Sequence, residues 1–278
     1  MTVGVVAVAF GAPDLLRTCL SPVASLPVVV IDNSSLPAVR AVCQDLGVPY
    51  VDAGHNLGFA AGANRGIREV WDRHGRLDVL LLNPDAVLTP SDVQALHGAL
   101  QEQPRTAAVS PALTGEQGPQ RTGWPFPAPG RMWREAFGLL GHRRAEVDWV
   151  VGAALLLNAS ALEELGLLDE RFFLYAEETD WQRRAVLAGW SVRLVPEVTV
   201  HHVGAGTSGD TRRREVLFHA GQETYLRKWA GARGWQSYRA AALLAAALRS
   251  PLPGARGASA RLRVRLYARG PRRAAGLS

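Results

Sequence analysis

Three groups of acids stand where strands and helices end. Asp32 closes the apolar run PVVVIDNSS, Asp85 closes VLLLNPD, and Glu177 and Glu178 open the run that follows DERFFLY. In an open α/β sheet, ligands collect beyond the carboxyl ends of the strands. An acid at the end of the second strand can accept a base N–H or a ribose hydroxyl there. The same DNSS run also reads as a turn capped by its own Asp. Asn83-Pro84-Asp85 is sharper. Pro84 cannot continue a ladder, so it ends the strand and presents Asp85 at the sheet edge. One carboxylate oxygen on Mg²⁺ or Mn²⁺, with diphosphate and water in the other positions, is ordinary hard-cation chemistry. Such an ion neutralises a departing nucleoside diphosphate. A plain strand-ending turn is the alternative.

Acids are favoured in any first helical turn by the exposed N–H groups, which explains Glu177, Glu178 and Asp180 without chemistry. Asp180 can also pair with Arg184 one turn on. Adjacent helix residues diverge by about 100°, so Glu177 and Glu178 cannot meet one substrate alike. A general base must reach its hydroxyl directly or through one water. His201 and His202 follow the last strand; neighbours on a strand face opposite ways, so at most one enters a site. Residues 56–66, NLGFAAGANRG, start a helix with small side chains. That admits phosphate at the helix N–H groups, and it equally serves tight helix–sheet packing. GAPD stands where a dinucleotide fold would carry GxGxxG, which disfavours NAD. The order strand-end acid, strand-end acid, helix-start acid pair points to metal-assisted glycosyl transfer rather than nicotinamide chemistry.

The elements that must position these groups follow from periodicity. Strands are expected at 3–10, PVVVI, VPYV, LDVLLLN, TAAVS, within VDWVVGAALLLNAS, and at SVRLVP. Helices are expected near 14–24, 37–46, 59–74 and 91–102. SALEELG should be a short helix capped by Ser160 with Glu163. YAEETDWQRRAVLAGW should give roughly four turns. Strands alternating with helices mean a mostly parallel sheet. Residues 114–145, rich in Gly and Pro, read as irregular and partly mobile. From 214 the chain looks helical, broken at Pro251, Pro253 and Gly254, although RLRVRL has a strand period.

Composition bounds the rest. The 278 residues are 47% apolar, ample for the core of one α/β domain with a helical tail. No stretch of roughly eighteen charge-free apolar residues suggests a spanning helix. MTVGVVAVAF lacks a basic n-region and reads as a buried strand rather than a signal peptide. Cys19 and Cys43 are too few for a disulfide scaffold, so a reducing, cytoplasmic location is expected. Charge is uneven. Residues 1–223 carry 19 Lys/Arg against 25 Asp/Glu, while 224–278 carry 12 Lys/Arg and no acid. Such a tail suits an anionic surface. With Trp229, Trp235 and Tyr238 it predicts peripheral docking at the inner face of a membrane. The alternative is a structural tail that neutralises the acidic body and forms a homodimer contact. Nucleic acid ranks low, because no base-reading module accompanies the charge.

The chain resembles the family 2 glycosyltransferases of GT-A fold, and most of all their bacterial rhamnosyltransferase branch. VIDNSS, NLGFAAGANRGI, LLLNPDAVL, WVVGAALLLNASALEELGLLDERFFLYAEETDWQRRAVLAGW and HHVGAGTS carry it, in family order, over most of residues 3–208. The resemblance implies a GT-A catalytic domain over 1–213, divided at 110 into a nucleotide-sugar half and an acceptor half, with a basic helical extension over 214–278. It implies inverting transfer of a sugar, L-rhamnose from dTDP-L-rhamnose, to a hydroxyl on a glycan, a lipid-linked glycan or a natural product. Asp32, Asn33, Gly58, Phe59, Asn64, Asn83 and Asp85 would hold the nucleotide sugar. Asp85 and His202 would meet Mg²⁺ or Mn²⁺, Asn83 replacing the first acid of the usual Asp-x-Asp motif. Glu178 would be the base with Glu177 beside it, two glutamates where the family has glutamate–aspartate. Trp149, Phe172, Phe173 and Tyr175 would line the acceptor side. A non-catalytic nucleotide- or carbohydrate-binding module is the competing reading.

Overall fold

A computed structural model describes residues 3–139, 147–204 and 210–277. Residues 140–146 of the segment expected to be irregular, and 205–209 at the end of HHVGAGTS, lie outside it. The elements in chain order are β1 Gly4–Ala9, α1 Pro13–Leu20, β2 Val28–Asp32, α2 Pro37–Asp45, β3 Tyr50–Asp52, α3 Phe59–His74, β4 Val79–Leu82 and β5 Ala86–Val87. There follow α4 Pro90–Gln101, β6 Thr106–Gly115, β7 Gly118–Gln120, β8 Gly123–Trp124, α5 Pro129–Ala136, β9 Trp149–Val150 and β10 Ala154–Leu157. The chain continues through α6 Ala159–Leu165, α7 Glu177–Leu187, β11 Ser191–His202, α8 Thr211–Arg249, α9 Gly254–Arg269 and α10 Pro271–Ala274. Two compact units result: Met1–Trp124 with Glu146–Phe173 and Glu177–Gly209, and Pro125–Ala145 with Leu174–Ala176 and Asp210–Ser278.

The first unit is built on a nine-stranded sheet of order β3-β2-β1-β4-β10-β6-β11-β5, with β7 added to β6. β3, β2, β1 and β4 are mutually parallel. β10 runs antiparallel between β4 and β6, and β11 runs parallel to β6. β6 and β11 therefore share the direction of β4. The carboxyl ends of β2, β4 and β11 and the amino end of β10 all lie along one edge. Asp32, Asp85, His202 and Gly152 are placed on that edge by topology alone.

Two apolar layers cover the sheet. One contains Leu16, Val39, Leu82 and Val109; the other contains Ile31, Ile67, Leu81, Leu155 and Trp181. Each fully buried aliphatic side chain contributes about 1.5–3 kcal/mol. Helix α3 comes unusually close to the sheet. A Cβ on Gly66 would collide with Val6 Cγ1, and one on Gly62 would sit 2.9 Å from Val8 Cγ1. Gly66→Ala would therefore force the helix off the sheet.

Several expectations are corrected. The cap of α6 is Asn158, whose side chain accepts from Ser160 N and Ala161 N, so Ser160 lies inside the helix. Helix α7 begins only at Glu177, because Tyr175 and Ala176 hold left-handed φ of 68° and 70°. β11 runs on past Pro196 to His202 through a shift of register between Val195 and Thr199. A bulge is where a strand tolerates proline. Residues 114–139 are ordered into strands and α5: Gly118, at φ 95°, turns the β6–β7 hairpin, and Pro129 starts the helix.

The second unit is helical. RLRVRL lies inside α9, so its alternation does not make a strand. Arg261, Arg263 and Arg265 are exposed while Leu266 and Tyr267 are buried, and alanine, leucine and arginine all favour helix. Trp235, Tyr238 and Tyr267 form a ring cluster with centroids 6.1–6.4 Å apart. α8 is broken at Gly231, with φ 68°. The α8–α9 hairpin is tight: a Cβ on Gly257 would collide with the Leu252 carbonyl oxygen. Among the described residues no helix is long and apolar enough to cross a membrane.

Candidate active site

The Asp85 turn is fixed from three sides. Asn83 N donates to Ala153 O at 2.9 Å, Ala86 N to Asn83 O at 3.0 Å, and Val203 N to Asp85 O at 3.0 Å. β5 pairs with β11 so that Ala86 faces His202. As a result His202 Nε2 stands 3.4 Å from Asp85 Oδ1, both side chains nearly buried. That is longer than the roughly 2.7–2.9 Å of a charge-assisted hydrogen bond. His201, its neighbour on the strand, is exposed. Nδ1 of His202 lies 2.9 Å from Gln120 Oε1.

A divalent cation fits this donor set. One carboxylate and one imidazole converge. Among the described residues no group of three or more His, Cys, Asp or Glu could hold a metal by itself. Asp85 and His202 would thus supply two ligands and leave the other positions to diphosphate and water, as Mg²⁺ and Mn²⁺ sites commonly do.

Gly152, just before β10, brings the glutamates to the same edge. A Cβ on Gly152 would meet the Glu178 side chain at 3.6–3.8 Å, and the next residue, Ala153, pairs with Asn83. Helix α7 is clamped in place. The Gln182 side-chain amide donates to Val150 O and accepts from Val150 N, both at 2.8 Å. Arg184 donates to Leu165 O, Leu167 O and Asp180, confirming a structural pairing for Asp180. Oε2 of Glu177 and Oε2 of Glu178 are both buried without a hydrogen-bond partner. Burial drives the Glu177 carboxyl well above the usual carboxylate range, and the neighbouring Glu178 charge raises it further. Burial also raises Glu178, opposed by hydrogen bonds from its own N–H and that of Thr179. A carboxyl raised in this way is a stronger base.

The nucleotide-side candidates are more heavily engaged. Asp32 is fully buried. Its Oδ1 accepts from Ser34 N and Oγ, and its Oδ2 from Leu36 N and Tyr50 OH. Four donors fill the acceptor positions of a carboxylate. Asn33 donates to Gly58 O at 2.9 Å, while its buried Oδ1 has no partner. Asn64 donates to Leu168 O and Glu170 and accepts from Leu168 N. Phe59 N donates to Phe173 O at 2.7 Å. Gly58, with φ 82°, leaves room for that carbonyl, which a Cβ would meet far inside contact distance. The small residues of 58–66 thus serve packing, and α3 is tied to the segment that leads toward Glu177.

The acceptor-side candidates divide. Trp149 stacks on Trp124 at 5.5 Å, with Arg121 5.2 Å from the Trp124 ring centre. Phe172 is buried and Phe173 half-buried. Tyr175 belongs to the second unit, where its ring meets Phe218 edge-on at 5.9 Å. Sequence reasoning missed Gln120, Gln182, Tyr50 and Trp124. Of these only Trp124 carried a signal, as an aromatic in a Gly- and Pro-rich segment.

Known proteins agree with this architecture. An N-acetylglucosaminyl-diphospho-decaprenol L-rhamnosyltransferase of Mycobacterium tuberculosis is 30% identical over 254 residues, covering 80% of this chain and 82% of that one. The low-salt glycan biosynthesis hexosyltransferase Agl10 of Haloferax volcanii is 33% identical over 163 residues, 56% of this chain and 52% of Agl10. The chain therefore matches about half the length of that relative. The solved mannosyltransferase PcManGT of Pyrobaculum calidifontis, in complex with GDP-Man and Mn²⁺, superposes with a TM-score of 0.61 at 14% identity, over 99% of this chain and 83% of that one. That likeness identifies the fold as GT-A. The description of glycosyl transferase family 2 matches residues 5–165, more than half of the sequence, and this chain belongs to that family.

Proposed function

We propose that this family member is an inverting, divalent-metal-assisted hexosyltransferase that moves L-rhamnose from dTDP-L-rhamnose to an acceptor hydroxyl. The observation that carries the reading is the pairing of Asp85 with His202 on the sheet edge that also meets Glu178. Glu178 takes the proton of the acceptor hydroxyl. The acceptor oxygen then bonds to the anomeric carbon as the bond to the diphosphate breaks on the opposite face. Asp85 and His202 would hold Mg²⁺ or Mn²⁺, which when bound would neutralise charge on the departing diphosphate. Asp32 and Asn33 face the nucleotide, and a nucleotide N–H replaces Tyr50 OH or Ser34 Oγ on the Asp32 carboxylate. Gly58, Phe59, Asn64 and Asn83 shape the donor side. Trp149 and Phe173 serve the acceptor.

The sugar and a lipid-linked diphosphate acceptor rest on the name of the rhamnosyl relative, and the dTDP carrier rests on the family resemblance. A lipid-linked acceptor is consistent with the second unit. Its α8–α9 tip exposes Leu248 (62%) and Leu252 (45%) beside the exposed Arg249 and Arg256, in a region with no acid after Glu223. This tip docks peripherally on an anionic bilayer, each arginine contributing about 1 kcal/mol near the surface. Equal, negligible sedimentation with neutral and anionic vesicles at low salt would remove that part. The main test offers purified protein a panel of nucleotide sugars with Mg²⁺ or Mn²⁺ and reads nucleotide release, then identifies the product by mass. No nucleoside diphosphate binding, with or without metal, sinks the reading. Donor binding without turnover on any acceptor favours a binding module instead.

A further inference from the structure

Gln120 lies outside every motif read from the sequence. It sits at the end of β7, paired opposite Leu113 of β6. β11 lies on the other side of β6, with His201 opposite Thr114. To reach His202, the Gln120 side chain must pass over β6 at Gly115. The absence of a side chain there makes the passage: a Cβ on Gly115 would lie 2.5 Å from Gln120 Nε2 and 3.0 Å from His202 O.

Both ends of the amide are used on one residue. Gln120 Nε2 donates to the backbone oxygen of His202 at 2.8 Å. A carbonyl can only accept, so this contact fixes which end of the amide is nitrogen. Gln120 Oε1 then faces His202 Nδ1 at 2.9 Å. An amide oxygen can only accept, so Nδ1 must carry the proton. In the neutral ring Nε2 is left with its lone pair, aimed at Asp85 Oδ1 3.4 Å away. Two acceptors face each other across that gap, an arrangement a cation between them would relieve. A histidine ligand is typically held in this way, with its far nitrogen donating to a fixed partner.

We propose that Gln120 is a positioning residue, which locks His202 in the Nδ1–H tautomer and keeps the Nε2 lone pair directed to the Asp85 side. The inference rests on the metal reading above, and the test separates the two. Histidine-labelled, metal-free protein at pH 8 is examined by nitrogen–proton correlation NMR, with His202 assigned from H202N. Wild type should show Nδ1 protonated and Nε2 bare. Q120M, similar in size but without hydrogen bonds, should move His202 toward the Nε2–H form. Its Mn²⁺ affinity, measured by electron paramagnetic resonance with a nucleoside diphosphate present, should fall about 10–100-fold. Q120E keeps an acceptor for Nδ1 but loses the donor to the His202 carbonyl, so it should retain the Nδ1–H tautomer while its affinity falls less than that of Q120M. G115A, which obstructs the passage, should resemble Q120M. A wild-type His202 found as Nε2–H, or a Q120M spectrum unchanged at His202, overturns the proposal. Unchanged Mn²⁺ affinity in H202A overturns the metal reading and leaves the tautomer result standing on its own.

Discussion

Among the described residues, a buried carboxyl oxygen without a partner occurs in the first unit and not in the second, although Asp32 and Asp180 of the first unit are well paired. In the first, Glu177 and Glu178 each bury a carboxyl oxygen with no partner, and both groups titrate higher than usual because of that burial. In the second, the acids are answered. Glu215 accepts from Ser259 and Arg263, and Glu223 accepts from Arg227 and the backbone of Arg272. Burial shifts other groups there: helped by Arg263 it holds His219 down at about 4, and it pushes the Tyr238 hydroxyl up to about 12. An unanswered buried carboxyl costs stability and persists where chemistry needs it. A paired one is ordinary construction. The contrast marks Glu177 and Glu178 as the buried carboxyls that pairing does not explain.

The largest expected effect lies in the first unit. Glu178→Gln should lower turnover about 10²–10⁴-fold, the usual range for a lost general base, with donor affinity largely retained. Steady-state transfer and direct binding check it, and near-normal turnover would move attention to Glu177 or Asp180. Asp85→Ala comes next. One lost contact to a charged group is worth about 1.5–3 kcal/mol, so Mn²⁺-dependent affinity for a nucleoside diphosphate should fall roughly 10–100-fold in calorimetry. Preserved metal coupling in that variant would contradict the assignment.

Acidity then sets the units against each other. His219 has a lowered folded pKa, so its neutral form supports folding above its ordinary value, and that support is lost as pH falls from about 6.5 through about 4. The buried carboxyls have raised folded values. Their stabilising, protonated form is complete below the ordinary carboxylate range and is lost as pH rises through the raised values. Hydrogen exchange, corrected for its chemical rate, should therefore show α8 and α9 losing protection on acidification before α7 does. Simultaneous loss would erase the distinction. The smallest effect is a gain. Glu177→Gln removes a buried charge and should raise the melting temperature by about 2–4 °C at pH 8, the worth of roughly 1 kcal/mol. In calorimetry the gain should vanish toward pH 4, and a destabilised variant at pH 8 would show that the charge is compensated after all.

Much of this was legible from local pattern. Phe59–His74 matches its expected helix at both ends, and the acids at the ends of β2 and β4 stand where apolar runs stop. Periodicity and turn chemistry are local, and the sequence carries them directly. What was not legible depended on distant partners. Asn158 outcompetes Ser160 as a cap because β10 hands over to α6 at that residue. RLRVRL is helical because its flanks and its packing outweigh a short alternation. Gln120 matters through a residue 82 positions away, which no spacing rule reaches. Asn64 was expected at the nucleotide sugar from the resemblance, and its tie to Leu168 and Glu170, over 100 positions away, had no local signal.

That last contact has a mechanical meaning. Through Asn64, and through Phe59 meeting the Phe173 carbonyl over Gly58, the first turns of α3 and the stretch 168–173 are pinned as one piece. A loop free to swing could follow its own substrate; a pinned one cannot. A displacement at the start of α3 would therefore carry the stretch 168–173 with it. Asn64 thereby acts as a rivet: loosening it would let the start of α3 and the stretch that leads to Glu177 move independently.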